Sequence, residues 1–205
     1  MDERAYQLMR AHHLNSDAIE TIVASIAEIR RRTRVDREWA AVVRIDTGKR
    51  IGPFVKGSAI RTDISKHLEM LVLGRAYVQI HSHPLSESFS PQDAVTLHGS
   101  ACFKTMIVIG LDGTLYVMTK DRGHPQPRLD EGDTSFFDEL VDTIAGALNA
   151  LQPKYDGLVA ERQLSEAAAR RLHTHEAWEQ VAPQLRFRYD RLEPEKKEVD
   201  DVYTR

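Results

Sequence analysis

With 205 residues and a formal net charge of −3, from 28 Lys and Arg against 31 Asp and Glu, the chain has the size of one domain with room for an appendage. Its 41% hydrophobic and 29% charged fractions exclude a wholly disordered or fibrous chain. The acidic balance argues against a protein built to bind nucleic acid directly, whose electrostatic footprint is basic.

No apolar run approaches the roughly 18 residues of a membrane span, so no membrane association is expected. The charged start Met1-Asp2-Glu3-Arg4 has no apolar segment behind it and suggests no secretory signal. The lone cysteine, Cys102, has no partner for an internal disulfide, which fits a reducing cytoplasm.

In chain order, Ile19, Ile22, Val23, Ile26 and Ile29 form one apolar stripe at three- and four-residue steps. They predict a helix capped by Asp17 and Glu20 and closed by Arg30, Arg31, Arg32 and Arg34, cations that suit a helix C-terminus. Trp39 to Ile45 is a β-prone run ending at the turn Asp46-Thr47-Gly48-Lys49, and Ile51 to Val55 is its return. Pro53 puts that return at a sheet edge or a bulge. Asp63 is placed to cap a helix running through His67, Leu68, Leu71 and Val72 to a stop near Gly74.

Ala76 to His81 reads as a short apolar strand. Ser90-Pro91-Gln92-Asp93 opens a helix to about Ala101, with Ser at the cap and Pro at the first position. Asp112-Gly113 between two apolar runs is the strongest hairpin signal in the chain. Residues 121–133 hold two prolines and two glycines among charges and read as a linker. Helices are expected over Phe136 to Leu151 and Leu158 to Val181, stopped at Pro183, with a charged tail from residue 193. The order of elements predicts an α/β (α+β) fold with a helical C-terminal extension.

The chemistry concentrates in Ile80-His81-Ser82-His83-Pro84 and Ser90-Pro91-Gln92-Asp93. Residues two apart on a strand point to one side, so His81 and His83 can present both imidazoles to one point. Two neutral imidazoles and a carboxylate make a zinc set that leaves a fourth position for water. Asp93 can supply that carboxylate from the first turn of its helix. His-x-His alone is a weak signal, and Ser-Pro-x-Asp alone is a complete helix start. Their spacing, with a strand before and a helix after, favours a metal site.

At these residues the chain resembles the JAMM/MPN+ metallopeptidase family, the JAB domain, and within it the prokaryotic JAB and RadC-like branches. The family signature is an upstream Glu, then His-x-His-Pro, then Ser-x-x-Asp. Glu38, leading the strand Trp39-Ala40-Ala41-Val42-Val43-Arg44-Ile45-Asp46, matches the upstream Glu. The resemblance covers about Val35 to Thr119. Six residues, Pro84 to Phe89, separate His83 from Ser90, one fewer than is usual in the family.

The resemblance implies an MPN-like mixed sheet flanked by helices over residues 1–120, followed by a helical extension over 134–192. It implies Zn2+ held by His81, His83 and Asp93, with Glu38 as general base and then acid, and Ser90 donating to the oxyanion. The implied activity is hydrolysis of an amide or isopeptide bond, with a ubiquitin-like protein or its conjugate as substrate. Two alternatives accompany it: a metal-free MPN scaffold that docks partners, and a RadC-like protein associated with DNA.

Other candidates rank lower. Glu69, on a predicted helix, and Glu87, in the loop, are weaker candidates for the base than Glu38. His173 and His175 fall in a helical stretch, where residues two apart do not share a face. His67 and His98 lie on predicted helices, and Gly48-Lys49 lacks the rest of a phosphate loop.

Overall fold

The protein is described by a computed structural model covering residues 3–58, 62–125 and 135–194. Two helices come first, α1 (Glu3–Ala11) and α2 (Ser16–Arg32), followed by strands β1 (Trp39–Arg44) and β2 (Arg50–Lys56). The short α3 (Ser65–Leu68), β3 (Tyr77–His83), α4 (Pro91–Gly99), β4 (Phe103–Gly110) and β5 (Leu115–Lys120) form the middle. The chain closes with α5 (Ser135–Ala160), α6 (Glu166–Val181) and β6 (Phe187–Leu192). The strands form a single six-stranded sheet in the order β2-β1-β3-β4-β5-β6, with β3 and β4 parallel and the other neighbours antiparallel.

Helices cover both faces of the sheet, as expected of the α/β class. Alternation along the strands sends Ala41, Val43, Val78, Ile80, Ile107 and Val117 to one face. There they meet Ile19, Ile22, Ile26 and Ile29 of α2, all four buried. The cap of α2 is Asn15, whose side chain accepts from the Ala18 N–H at 2.8 Å, rather than Asp17 with Glu20. Asp17 sits in the first turn, where its charge suits the dipole.

Pro53 lies on β2, an edge strand, where its missing N–H breaks no interior ladder. The β4–β5 hairpin turns at Asp112-Gly113, with Gly113 at φ +90° and Asp112 Oδ1 accepting from the Thr114 N–H. The helix expected from Asp63 to Gly74 shrinks to Ser65–Leu68. The Val72 N–H donates to the Tyr77 hydroxyl at 3.0 Å instead of to a helical carbonyl. Leu68, Met70, Val72 and Leu73 are exposed, so a longer helix here would have no apolar face to bury.

The C-terminal third differs most from expectation. α5 runs past Leu151 and through Pro153 to Ala160, and the chain reverses at 161–164, where Arg162 takes φ +57°. Contacts of Leu151 and Tyr155 with Ala169 and Ala177 hold the helix together beyond the proline. Residues 187–192, expected within a helical extension, form β6 and pair along the whole of β5. Trp178, Val181, Leu185 and Phe187 share a buried cluster with Val42, Met106, Tyr116 and Met118. A boundary at residue 120 is therefore incorrect, because the second face of the sheet is closed by α4, α5 and α6 together. Most of the expected linker and charged tail, residues 126–133 and 195–205, lies outside the described residues. Among the described residues, no helix is long and apolar enough to cross a membrane.

Candidate metal centre

β3 delivers the two histidines. In the antiparallel register of β1 and β3, Ala40 stands opposite His81. Both side chains belong to the face that α4 to α6 cover, and the small Ala40 leaves room for the ring. Continuing the register by two residues sets Glu38 opposite His83 on the same face. The Trp39 N–H donates to Ser82 Oγ at 3.0 Å, extending the contact past the last paired residues. The Glu38 backbone is anchored by its N–H on the Ser58 carbonyl and by its own carbonyl on the Gly57 N–H, at 2.8 and 2.9 Å.

Asp93 arrives from the first turn of α4 and divides its two oxygens between two tasks. Oδ2 accepts from the backbone N–H and the hydroxyl of Ser90, both at 2.7 Å, while the Asp93 N–H donates back to Ser90 Oγ at 3.2 Å. This reciprocal capping box, with Pro91 at the first position, makes the helix start rigid. Oδ1 is left to face His81 Nε2 at 3.2 Å, and Oδ2 also lies 3.4 Å from His83 Nε2. The capping side chain thus keeps one oxygen that could also serve a metal ion.

The two Nε2 atoms are 3.1 Å apart, and one ligand atom from each of His81, His83 and Asp93 lies within 4.8 Å of the others. The tautomer of His83 follows from its surroundings. Its Nδ1 faces the carbonyls of Ser88 and Glu87 at 2.9 and 3.1 Å, so Nδ1 carries a proton in either charge state and the neutral ring turns its Nε2 lone pair to the centre. The Nδ1 of His81 is buried with no hydrogen-bond partner among the described residues, so packing and the Asp93 contact at Nε2 orient that ring. Two imidazole nitrogens and a carboxylate oxygen converging on one point can hold a metal ion.

Electrostatics agree with the geometry. Burial opposes charge on Asp93, but His81 and His83 outweigh it and hold the carboxyl well below the ordinary range. Burial would lower the His83 pKa, yet Asp93, helped by Glu38, raises it to about 9. Glu38 behaves oppositely to Asp93. Burial pushes its pKa up, against the pull of His81, His83 and a 3.0 Å hydrogen bond donated by the Thr62 hydroxyl to Oε2. A buried carboxyl raised in this way is suited to moving protons.

The structure therefore brings Glu38, His81, His83, Ser90 and Asp93 to one place. Ser90, expected as an oxyanion donor, directs its hydroxyl to Asp93. Sequence reasoning missed what holds the loop between His83 and Ser90. Ser86 adopts φ +60°, its Oγ accepts from the Asp112 N–H, and its carbonyl accepts from the Tyr116 hydroxyl. Further along, the Trp178 indole donates to the Phe89 carbonyl at 2.6 Å. A tryptophan on a helix with few other large apolar residues was the available signal.

His173 and His175 take structural partners, the Leu148 carbonyl and the Tyr189 hydroxyl, both at 2.8 Å. His67 bonds the Pro53 carbonyl, and His98 pairs with His124. No protein-family profile matches the chain, and neither a curated protein nor a solved structure is significantly similar to it.

Proposed function

We propose that the protein is a zinc-dependent hydrolase of the JAMM type that cleaves an amide or isopeptide bond, with the C-terminus of a ubiquitin-like protein as the substrate class. The observation that carries this reading is the convergence of His81, His83 and Asp93 beside the buried Glu38, whose pKa burial raises. The donor set fits zinc, since the neutral His83 tautomer offers its Nε2 lone pair and Asp93 Oδ1 is spared by the cap. When bound, zinc supplies a Lewis acid and brings the pKa of its water toward about 7.

The remaining work falls to the chain. Glu38 takes a proton from the attacking water and gives it to the departing amine, first as base and then as acid. Its raised pKa lets it hold that proton between the two steps. Thr62 steers the carboxylate through Oε2. Ser90, on turning its hydroxyl away from Asp93 Oδ2, stabilises the tetrahedral oxyanion, a contribution of about 3 kcal/mol for such donors. The buried thiol of Cys102 is in keeping with action in the cytoplasm.

The test is cleavage of a ubiquitin-like fusion by zinc-loaded protein. Glu38→Gln keeps shape and metal but removes the proton acceptor, so cleavage should fall at least about a hundredfold. An unchanged rate in Glu38→Gln contradicts the mechanism, and a chain that loads zinc but cleaves no amide bond contradicts the activity.

A further inference from the structure

Residues 87–89 line the back of the metal centre, and each is held by the C-terminal part of the chain. Arg170 lies 3.4 Å from the Glu87 carboxylate. The Ser88 N–H donates to Thr174 Oγ1 at 3.4 Å, and Ser88 Oγ is 2.9 Å from the Tyr189 hydroxyl. The Phe89 carbonyl accepts from Trp178, and the Phe89 ring stands edge-on to the rings of Trp178 and Tyr189. The Ser88 carbonyl accepts the Nδ1–H of His83. All three polar groups of Ser88 are thus committed, two toward α6 and β6 and one toward the ligand.

The hydrogen bonds have a direction. The Tyr189 hydroxyl lies 2.8 Å from His175 Nδ1, while His175 Nε2 faces Glu179 at 3.5 Å. Burial lowers the His175 pKa, so at neutral pH its ring is uncharged, with Nε2–H toward the carboxylate and Nδ1 as acceptor. Tyr189 therefore donates to His175 and accepts from the Ser88 hydroxyl. The line runs Ser88, Tyr189, His175, and it fixes the serine through Oγ while its carbonyl serves His83.

We infer that Tyr189 is a positioning residue for the metal ligand His83: through Ser88 Oγ it sets the carbonyl that orients the imidazole. The inference rests on the metal-centre reading above but not on amide hydrolysis. Its physical basis is that the short loop between His83 and Ser90 carries a left-handed residue, Ser86, and depends on bonds from distant elements. Groups behind a ligand fix its ring and tune its affinity, and their loss costs roughly ten- to a hundredfold in metal binding.

Two variants approach the link from its two ends. Tyr189→Phe removes the hydroxyl and leaves the ring against Phe89. Ser88→Ala removes Oγ and leaves the carbonyl on His83. Wild type and variants are titrated with Co2+ and Zn2+ against a chromophoric chelator, and the visible absorption of the cobalt-loaded protein is recorded as a reading of ligand geometry. Each variant should bind both metals about tenfold more weakly and show a changed cobalt spectrum. The double variant should be no worse than either single one, because both break the same link.

Tyr155→Phe, which loses a hydroxyl bonded to Glu176 at 2.7 Å, should match wild type in both readouts. Wild-type affinity and spectrum in both single variants, or losses that add in the double variant, would overturn the inference while leaving the metal centre standing. A wild type that takes up neither metal would overturn the metal centre and this inference with it.

Discussion

The Trp178 indole donates to the Phe89 carbonyl at 2.6 Å, joining α6 to the residue just before the Ser90 cap of α4. The bond spans 89 positions of sequence. Together with the β5–β6 pairing it makes the C-terminal third part of the core.

Truncation after Lys120 should therefore abolish the fold rather than trim an appendage. It removes β6, α5 and α6 and strips cover from Tyr116 and Met118, both fully buried in the intact chain. The shortened chain should show no cooperative thermal transition by circular dichroism. A sharp transition with metal uptake preserved would mean that residues 1–120 fold alone.

Much of the site was legible because its logic is local. His81 and His83 share a face through the two-residue period of a strand, and Asp93 follows Ser90 at the spacing of a helix start. The α2 stripe was legible for the same reason. β6 was not, because Arg188, Asp190 and Arg191 interrupt its apolar residues, and only the register with β5 makes it a strand. Pro153 signals a helix end locally, and packing of α5 on α6 overrides it. The partners of Ser88 and Phe89 lie 86 to 101 residues away, beyond any spacing rule.

Acid should destabilise the fold through histidines held neutral. Burial, the largest influence on each, lowers the pKa of His12, His98 and His124 to about 4, in His12 against the opposing pull of Asp190. A group whose folded pKa lies below its unfolded value binds protons more readily when unfolded. The stability these three contribute is complete above about pH 6.5, the unfolded value, and is lost as the pH falls toward about 4. Urea midpoints should drop between pH 7 and pH 5, and the three ring resonances should show no titration near pH 6.5. A ring that titrates there would contradict the assignment for that residue.

Metal binding should expel a proton. With its pKa raised to about 9, His83 is protonated at neutral pH in the metal-free protein. The sign is opposite to that of the three histidines above. The stability gained from this proton is present below about pH 6.5, the unfolded value, and is lost as the pH rises through about 9. Ligation needs the Nε2 lone pair, so the proton must leave. Binding heats compared in buffers of different ionisation enthalpy at pH 7.5 should show release of about one proton, with affinity increasing toward pH 9. Uptake without proton release would remove His83 Nε2 from the ligand set.

In the proposed site Asp93 is a ligand as well as a cap, and the zinc content of wild type and Asp93→Asn decides between the two roles. Asparagine keeps an oxygen for the Ser90 N–H but is a poor ligand beside two imidazoles. The wild type should hold about one zinc per chain by elemental analysis, and Asp93→Asn, at near wild-type thermal stability, should lose its zinc on mild chelation. No zinc uptake by the wild type, or equal retention in Asp93→Asn, would contradict the ligand role.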